Sequence, residues 1–202
     1  MTELFDALAR EAGNWSALEG LAVACAVAYL LLAIRQHIAC WLFAGLSTAI
    51  YIGLFADVRL YMEAALNAFY FAMAVYGWWT WSRGGGRGRE LPVTTWPVRR
   101  HALALAVLVL LSGASGWMLS TQTDAIYPYL DSMTTWSAVW ATFLVARKVL
   151  ENWHYWFAID AVSMALYWDR GLALTTALFL LYLVMIPFGY VGWRRSMQGR
   201  VA

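Results

Sequence analysis

Seven apolar segments, each long enough or nearly long enough to cross a lipid bilayer, follow one another along this 202-residue chain. A spanning helix needs about 20 mostly apolar residues. Hydrophobic residues make up 62% of the chain and charged residues 13%, whereas a soluble domain carries about 25% charged residues. We therefore expect an all-α integral membrane protein, with seven transmembrane helices at approximately 17–34, 38–55, 60–81, 101–119, 132–149, 153–168 and 171–193.

One segment between these helices is too rich in glycine and charge to pack in a bilayer. It reads S-R-G-G-G-R-G-R-E-L-P over residues 82–92 and separates three predicted helices from the other four. We predict a first three-helix bundle over 15–82, a basic cytoplasmic loop over 83–100, a linking helix over 101–119 and a second three-helix bundle over 132–195.

The two predicted bundles share a sequence pattern at an offset of about 115 residues. Trp41 matches Trp156, and the Gly-Trp pair at 77–78 matches the pair at 192–193. Because one helix lies between the bundles, both keep the same orientation in the membrane. Parallel repeats of this kind occur in transporters, which bind substrate near the midplane between the repeats. The alternative interpretation is a chance similarity of tryptophan-rich helices.

The basic residues are distributed unevenly between the two sides of a seven-helix arrangement. The 14 Lys and Arg residues divide 11 to 3, and the side richer in them faces the cytoplasm. We therefore expect the N-terminus outside the cytoplasm and the C-terminus inside it.

An acidic residue interrupts the sixth predicted helix. Asp160 lies within E-N-W-H-Y-W-F-A-I-D-A-V-S-M-A-L-Y, residues 151–167, and helical spacing places it on one face with Trp153, Trp156, Ser163 and Tyr167. An ionisable group in a bilayer is costly unless it faces a partner, a cavity or a ligand. We therefore predict that Asp160 belongs to a substrate site. Two alternatives are a structural acid held by Ser or Trp donors and a proton-coupled role.

Stripes of aromatic rings with one or two hydrogen-bonding groups occur on other predicted helices too. Aromatic faces attract cations, an ionised Asp balances a positive charge, and Asn both donates and accepts hydrogen bonds. The stripes therefore predict a pocket for a flat, polar, cationic ring. The predicted substrate-binding residues are Trp41, Thr48, Tyr51, Asn67, Tyr70, Trp136, Trp140, Trp156, Asp160, Ser163, Tyr167 and Tyr182.

Other classes of protein find little support in the sequence. The chain has no histidine cluster, no G-x-S-x-G, no G-x-x-x-x-G-K and no acidic pair at catalytic spacing. We therefore expect no enzyme activity, no cofactor, no metal and no nucleic-acid partner. Cys25 and Cys40 have no metal or disulfide spacing and are expected to be apolar fillers. A passive scaffold would leave Asp160 and the aromatic stripes without a role.

Two strings resemble the PnuC nicotinamide riboside transporters: the one over 151–167, preceded by A-R-K-V-L-E-N-W at 146–153, and L-Y-M-E-A-A-L-N-A-F-Y-F-A-M-A-V-Y-G-W-W-T-W over 60–81. The resemblance covers about residues 15–195. It implies a SWEET-like fold, in which a linking helix joins two parallel three-helix bundles, and a homotrimer in the bacterial inner membrane. It also places Asn67 and Asp160 on the substrate path, where many members have Gln and Asn.

The resemblance implies uptake of nicotinamide riboside by facilitated diffusion, with trapping by cytoplasmic phosphorylation. Related Pnu proteins transport thiamine, riboflavin or deoxynucleosides. Nicotinamide riboside and thiamine each carry a permanent positive charge on an aromatic ring, which suits an ionised Asp160, and neutral riboflavin suits it less well. Nicotinamide riboside is therefore the expected substrate, and thiamine is the alternative that the residues leave open.

Overall fold

The part of the chain that the computed structural model describes, residues 17–57, 59, 61–84 and 91–199, is built from seven helices. Every predicted helix is present. Two of them begin three and four residues earlier than expected. Pro97 directly precedes the first and Pro128 is the first residue of the second, positions where proline loses no helical hydrogen bond. The helices are α1 Ala17–Ile34, α2 Cys40–Asp57, α3 Tyr61–Arg83, α4 Val98–Gln122, α5 Pro128–Ala146, α6 Asn152–Asp169 and α7 Ala173–Gln198.

By length and composition alone, four of the described helices can cross a membrane. They are α1, α2, α4 and the Thr175–Gln198 part of α7. The helices α3, α5 and α6 are less apolar because they carry many Trp, Tyr, Thr and Asn residues and Asp160. Two of these three, α5 and α6, supply most of the polar side chains of the cavity described below.

Six of the helices close a ring in which each helix packs against two neighbours. The order around the ring is α1, α2, α3, α5, α6 and α7, and α7 packs against α1. The helix α4 lies outside this ring against α5, where the Trp136 indole donates a 3.1 Å hydrogen bond to Ser115 Oγ. Residues of both halves of the chain therefore face a common interior.

Equivalent features of the two halves lie 112 residues apart. The rings of Trp41 and Trp81 meet edge to face with centroids 5.5 Å apart, and those of Trp153 and Trp193 meet in the same way at 5.5 Å. Trp153 follows Trp41 by 112 residues, and Trp193 follows Trp81 by the same number. The internal repeat is thus confirmed, but the predicted offset of about 115 is wrong. In the sequence alone Trp156 matches Trp41 as well as Trp153 does, because Trp156 lies one turn beyond Trp153 on the same face.

Backbone conformation repeats at the same offset. Gln36 has φ 57° and Lys148 has φ 48°, while Arg59 has φ 62° and Gly171 has φ 72°. The left-handed region is costly for residues with a Cβ. At Gln36, Arg59 and Lys148 the surrounding fold, and not the preference of the residue, therefore determines the backbone conformation. The corrected register makes Thr48 the counterpart of Asp160.

The two ends of the ring differ in charge. The end where α1, α3, α5 and α7 finish holds eight of the ten described Lys and Arg residues, and we call it the basic end; they are Arg35, Arg83, Arg99, Arg100, Arg147, Lys148, Arg194 and Arg195. The opposite end, the acidic end, holds Glu19, Asp57, Asp124, Asp131 and Asp169.

An ionic cluster joins two loops at the acidic end. Arg170 donates hydrogen bonds of 3.0 and 3.3 Å to the two carboxylate oxygens of Asp131. Tyr127 donates a hydrogen bond to Asp169, and because the neutral phenol is the donor, the pKa of Tyr127 is raised above its ordinary value. These contacts connect the start of α5 to the turn between α6 and α7.

Candidate functional site

A cavity of about 460 Å³ lies inside the ring and is bordered by all six ring helices. Its volume lies in the range of small-molecule binding sites, about 300–1,000 Å³. Most of its wall is apolar or aromatic. The rings in the wall are Tyr29, Trp41, Tyr70, Trp153, Trp156, Tyr167, Phe179 and Tyr182.

The structure brings together eight of the twelve substrate-binding residues predicted from the sequence. Those in the cavity wall are Trp41, Thr48, Tyr70, Trp156, Asp160, Ser163, Tyr167 and Tyr182. The other four, Tyr51, Asn67, Trp136 and Trp140, lie outside the wall, so the structure does not bring them to this cavity. Tyr51 stacks on Phe55 with ring centroids 5.5 Å apart.

The two tryptophans of α5 lie on the wrong face of the helix to line the cavity. Trp136 bonds to Ser115 of α4, and the Trp140 ring packs 6.0 Å from Trp96 and 5.7 Å from Phe143. The opposite face of α5 lines the cavity with hydroxyl-bearing and small side chains. They are Thr134, Thr135, Ala138, Thr142 and Val145.

Several residues of the wall were not in the predicted set. Trp153 is the counterpart of Trp41, so the correct register of the repeat identifies it. Asn152, with 0% of its surface exposed, precedes Trp153 at the start of α6. For the hydroxyl side chains of α5, nothing in the sequence except their helical spacing indicates that they line the cavity. The polar or aromatic residues missed are Tyr29, Ser47, Thr134, Thr135, Thr142, Asn152, Trp153 and Phe179.

Asp160 is the acidic residue of the described wall. Only 4% of its surface is exposed, and within the described part of the chain no group donates a hydrogen bond to its carboxylate. A structural acid held by Ser or Trp donors therefore finds no support there. A buried carboxylate without an internal donor is costly unless a ligand compensates it, so this position suits a cationic ligand.

The hydroxyl groups of the wall are oriented by backbone carbonyls. Thr48 donates to Ala44 O at 2.9 Å, Ser47 to Ala22 O at 2.9 Å, and Thr142 to Ala138 O at 2.8 Å. A hydroxyl that donates its proton still has oxygen lone pairs that accept. The wall thus offers hydrogen-bond acceptors to a ligand with hydroxyl groups of its own, such as a sugar.

The described residues contain no group of three or more His, Cys, Asp or Glu side chains that could hold a metal ion. Cys25 and Cys40 are free and buried. The described cavity wall presents aromatic rings, hydroxyl groups, the Asn152 amide and the Asp160 carboxylate to a ligand.

A ring of helices built from two related halves around a small-molecule cavity is the arrangement that membrane transporters with parallel repeats adopt. The family model for the nicotinamide mononucleotide transporters matches residues 16–195. This chain belongs to that family. Its membership confirms a multi-pass membrane transporter and not an enzyme.

The chain is also similar to characterised proteins along most of its length. The nicotinamide riboside transporter PnuC of Escherichia coli is 25% identical over 195 residues, which cover 84% of this chain and 81% of that protein. The riboflavin/roseoflavin transporter RibM of Streptomyces davaonensis is 26% identical over 170 residues, covering 81% and 78%. The crystal structure of the vitamin B3 transporter PnuC has a TM-score of 0.72 at 21% identity and covers 96% and 90%, which confirms the fold.

Proposed function

We propose that this protein takes up nicotinamide riboside by facilitated diffusion. The observation that carries the proposal is Asp160, a buried carboxylate with no donor from the described residues, in a wall rich in tryptophan and tyrosine. The pyridinium ring of nicotinamide riboside carries a fixed positive charge, which a carboxylate balances and aromatic faces attract. Its ribose hydroxyls match the acceptor oxygens of Thr48 and Thr142. The similarity to the Escherichia coli transporter supports the same substrate.

Riboflavin is the second candidate, because the Streptomyces davaonensis relative is as similar to this chain as the nicotinamide riboside transporter is. Its flavin ring is neutral and leaves an ionised Asp160 without a counter-charge. Thiamine, the alternative from the sequence, shares the positive charge. It has a single hydroxyl group, however, whereas the cavity wall contains many hydroxyl groups. Nicotinamide riboside alone combines the cation with the sugar.

The substrate is tested by thermal unfolding of the purified protein with nicotinamide riboside, thiamine or riboflavin at equal concentrations. A ligand that binds only the folded state stabilises it by about 2.7 kcal/mol at a hundredfold excess over Kd. We expect nicotinamide riboside to raise the unfolding midpoint by several degrees and the other two to have smaller effects. Stabilisation by riboflavin or thiamine alone would contradict the substrate, and stabilisation by none would contradict the whole proposal.

The membrane orientation is part of the proposal. The basic end faces the cytoplasm, because it holds eight of the ten described basic residues, and the chain lies in the bacterial inner membrane with its N-terminus periplasmic and its C-terminus cytoplasmic. Phosphorylation in the cytoplasm turns the cation into a species with an anionic group. That product is repelled by Asp160, so net uptake continues while a kinase consumes the substrate.

The proposal also includes two bundles, over 15–82 and 132–195, a homotrimer and a linking role for α4. The closed ring with equivalent halves supports the division into bundles. A homotrimer needs an apolar surface outside the ring, and α4 offers one: Leu103, Val109 and Leu110 are between 69% and 72% exposed.

Two tryptophan substitutions distinguish a residue that lines the cavity from one that packs outside it. Trp156→Leu is expected to lower nicotinamide riboside affinity about tenfold, because one aromatic face contributes about 0.5–2 kcal/mol to binding a cation. Trp136→Leu is the matched control, since Trp136 faces α4; affinity should change less than twofold. Calorimetric titration of both variants measures the difference, and equal losses would show that the cavity wall is not the binding surface.

A further inference from the structure

Four tryptophans pack together at the basic end of the cavity, and two of them, Trp41 and Trp153, line it. The rings of Trp41 and Trp81 are 5.5 Å apart, those of Trp81 and Trp193 are 6.1 Å apart, and those of Trp193 and Trp153 are 5.5 Å apart. Each is at most 3% exposed. We call these four residues the tryptophan plug. A ligand in the cavity cannot leave through the basic end unless the plug moves.

The plug is held by two equivalent hydrogen bonds that cross between the halves of the chain. Trp81 of α3 donates to Val145 O of α5 at 3.2 Å, and Trp193 of α7 donates to Ala33 O of α1 at 2.9 Å. Donors and acceptors both obey the 112-residue offset. The ring therefore has two seams at the basic end, the α3–α5 seam and the α1–α7 seam, each secured by one tryptophan.

The α3–α5 seam has three further contacts. Thr80 donates to Ala146 O at 2.8 Å, and Arg147 donates to the Tyr76 hydroxyl at 3.2 Å. The Lys148 ammonium lies 4.3 Å from the centroid of the Trp81 ring, a favourable cation–π distance. Separation of α3 from α5 would break all of these contacts together.

The α1–α7 seam cannot form the same contacts, because its residues lack the groups. The counterpart of Thr80 is Gly192, which has no hydroxyl, and the counterpart of Tyr76 is Phe188, which has none either. Gln36, with no charge, stands where Lys148 stands in the other half. The Trp193–Ala33 bond is thus the hydrogen bond that secures this seam within the described residues.

The second half is also braced from outside the ring. Thr94, in the segment before α4, accepts a bond from Leu150 N at 2.8 Å and donates one to Lys148 O at 3.0 Å. Trp96 N donates to Glu151 Oε2 at 3.3 Å. In the described part of the chain no such segment bonds to the α1–α2 turn, residues 35–39. The turn beside the α1–α7 seam is therefore the less restrained of the two.

We propose that the basic end of the cavity opens along the α1–α7 seam, with the α3–α5 seam remaining closed as the hinge. The proposal rests on the proposed transport function, which requires that the ligand pass the tryptophan plug. The repeat makes the two seams equivalent in shape, and the additional contacts make one of them stronger. The weaker seam is the one that separates.

Cys40 is a native reporter for this movement. It is fully buried at the start of α2, in the same cluster as Trp41, Ala33 and Trp193, so N-ethylmaleimide reaches it only when the packing of this cluster opens. Trp193→Phe is expected to raise the rate of Cys40 alkylation about fivefold, because loss of one net hydrogen bond shifts an equilibrium by about that factor. Trp81→Phe should raise it less than twofold, since the Thr80 and Arg147 bonds remain.

A substitution that strengthens the α1–α7 seam leaves all four tryptophans of the plug unchanged. An added Cβ at Gly192 would lie 3.6 Å from Ile34 O, the counterpart of Ala146 O, so Gly192→Thr can form the bond that Thr80 makes. It is expected to slow Cys40 alkylation several-fold. Gly113→Thr on α4, where an added Cβ meets nothing within 4 Å, should leave the rate unchanged.

Peptide mass spectrometry follows Cys40 and Cys25 in the same sample. Cys25 is buried in the middle of α1 and should not respond. Equal acceleration of both cysteines would mean general loosening and would overturn the proposal, as would an equal effect of Trp81→Phe and Trp193→Phe or no effect of either Trp193→Phe or Gly192→Thr. The assay uses no substrate, so a failure of nicotinamide riboside to stabilise the protein is a separate result.

Discussion

Replacing Asp160 with asparagine is expected to weaken nicotinamide riboside binding by about tenfold to a hundredfold. The substitution keeps the size of the side chain but removes its charge, and a hydrogen bond or contact with a charged group contributes about 1.5–3 kcal/mol. The expected effect is large because Asp160 is the carboxylate of the described wall and is 4% exposed. Calorimetric titration of purified protein gives the affinity of both forms.

Two controls belong with this measurement. Thr48→Val changes the counterpart of Asp160 in the first half and removes a hydroxyl without changing charge, so its effect on affinity should be several-fold smaller. Any binding of neutral riboflavin should be affected less than twofold by Asp160→Asn. An unchanged nicotinamide riboside affinity, or equal losses for both ligands, would falsify the pairing of Asp160 with a cationic ring.

Adding one methyl group at Gly189 or Gly77 is expected to destabilise the folded protein by about 1–3 kcal/mol, the usual cost of overpacking. An added Cβ at Gly189 would overlap the Trp153 ring, and one at Gly77 would overlap the Trp41 ring. Both rings are buried in the tryptophan plug and cannot move without disturbing it. The thermal unfolding midpoint of Gly189→Ala should therefore fall by several degrees, and that of Gly77→Ala by a similar amount.

Gly53→Ala on α2 is the matched control, because an added Cβ there meets nothing within 4 Å. Alanine forms helix more readily than glycine by about 1 kcal/mol, so this variant should be as stable as the parent or slightly more stable. If Gly189→Ala and Gly53→Ala unfolded at the same temperature, the close packing of α7 against Trp153 would be disproved.

The number of helices and the position of the central acid could be predicted because both depend on local sequence. Apolar length fixes a spanning helix, and the spacing of Trp156, Asp160, Ser163 and Tyr167 fixes their common face. All four line the cavity. The sequence predicts a later start for α5 than the structure has, because proline is common in loops, although proline at the first helical position is also favourable.

The orientation of α5 could not be predicted because both of its faces carry plausible residues. One face has Trp136 and Trp140, and the other has Thr134 and Thr142. The choice depends on α4, which packs against the tryptophan face and is far away in sequence. The sequence predicts that the large rings, and not the small hydroxyl groups, line the cavity, but in this fold the rings pack against residues outside it.

The register of the repeat was similarly ambiguous in the sequence. Trp153 and Trp156 are one turn apart on α6, and either could match Trp41. Only three-dimensional contacts distinguish them: Gly189 packs on Trp153 as Gly77 packs on Trp41. The corrected register makes Thr48 the counterpart of Asp160, and Thr48 also lines the cavity.

The left-handed residues recur at Gln36 and Lys148, and at Arg59 and Gly171, so the two halves share a backbone although their side chains differ. Two halves with identical side chains would place the same residue at 48 and 160, and the cavity would then hold either a pair of carboxylates at these positions or none. The difference between the halves, with threonine at 48 and aspartate at 160, leaves one carboxylate in the described wall.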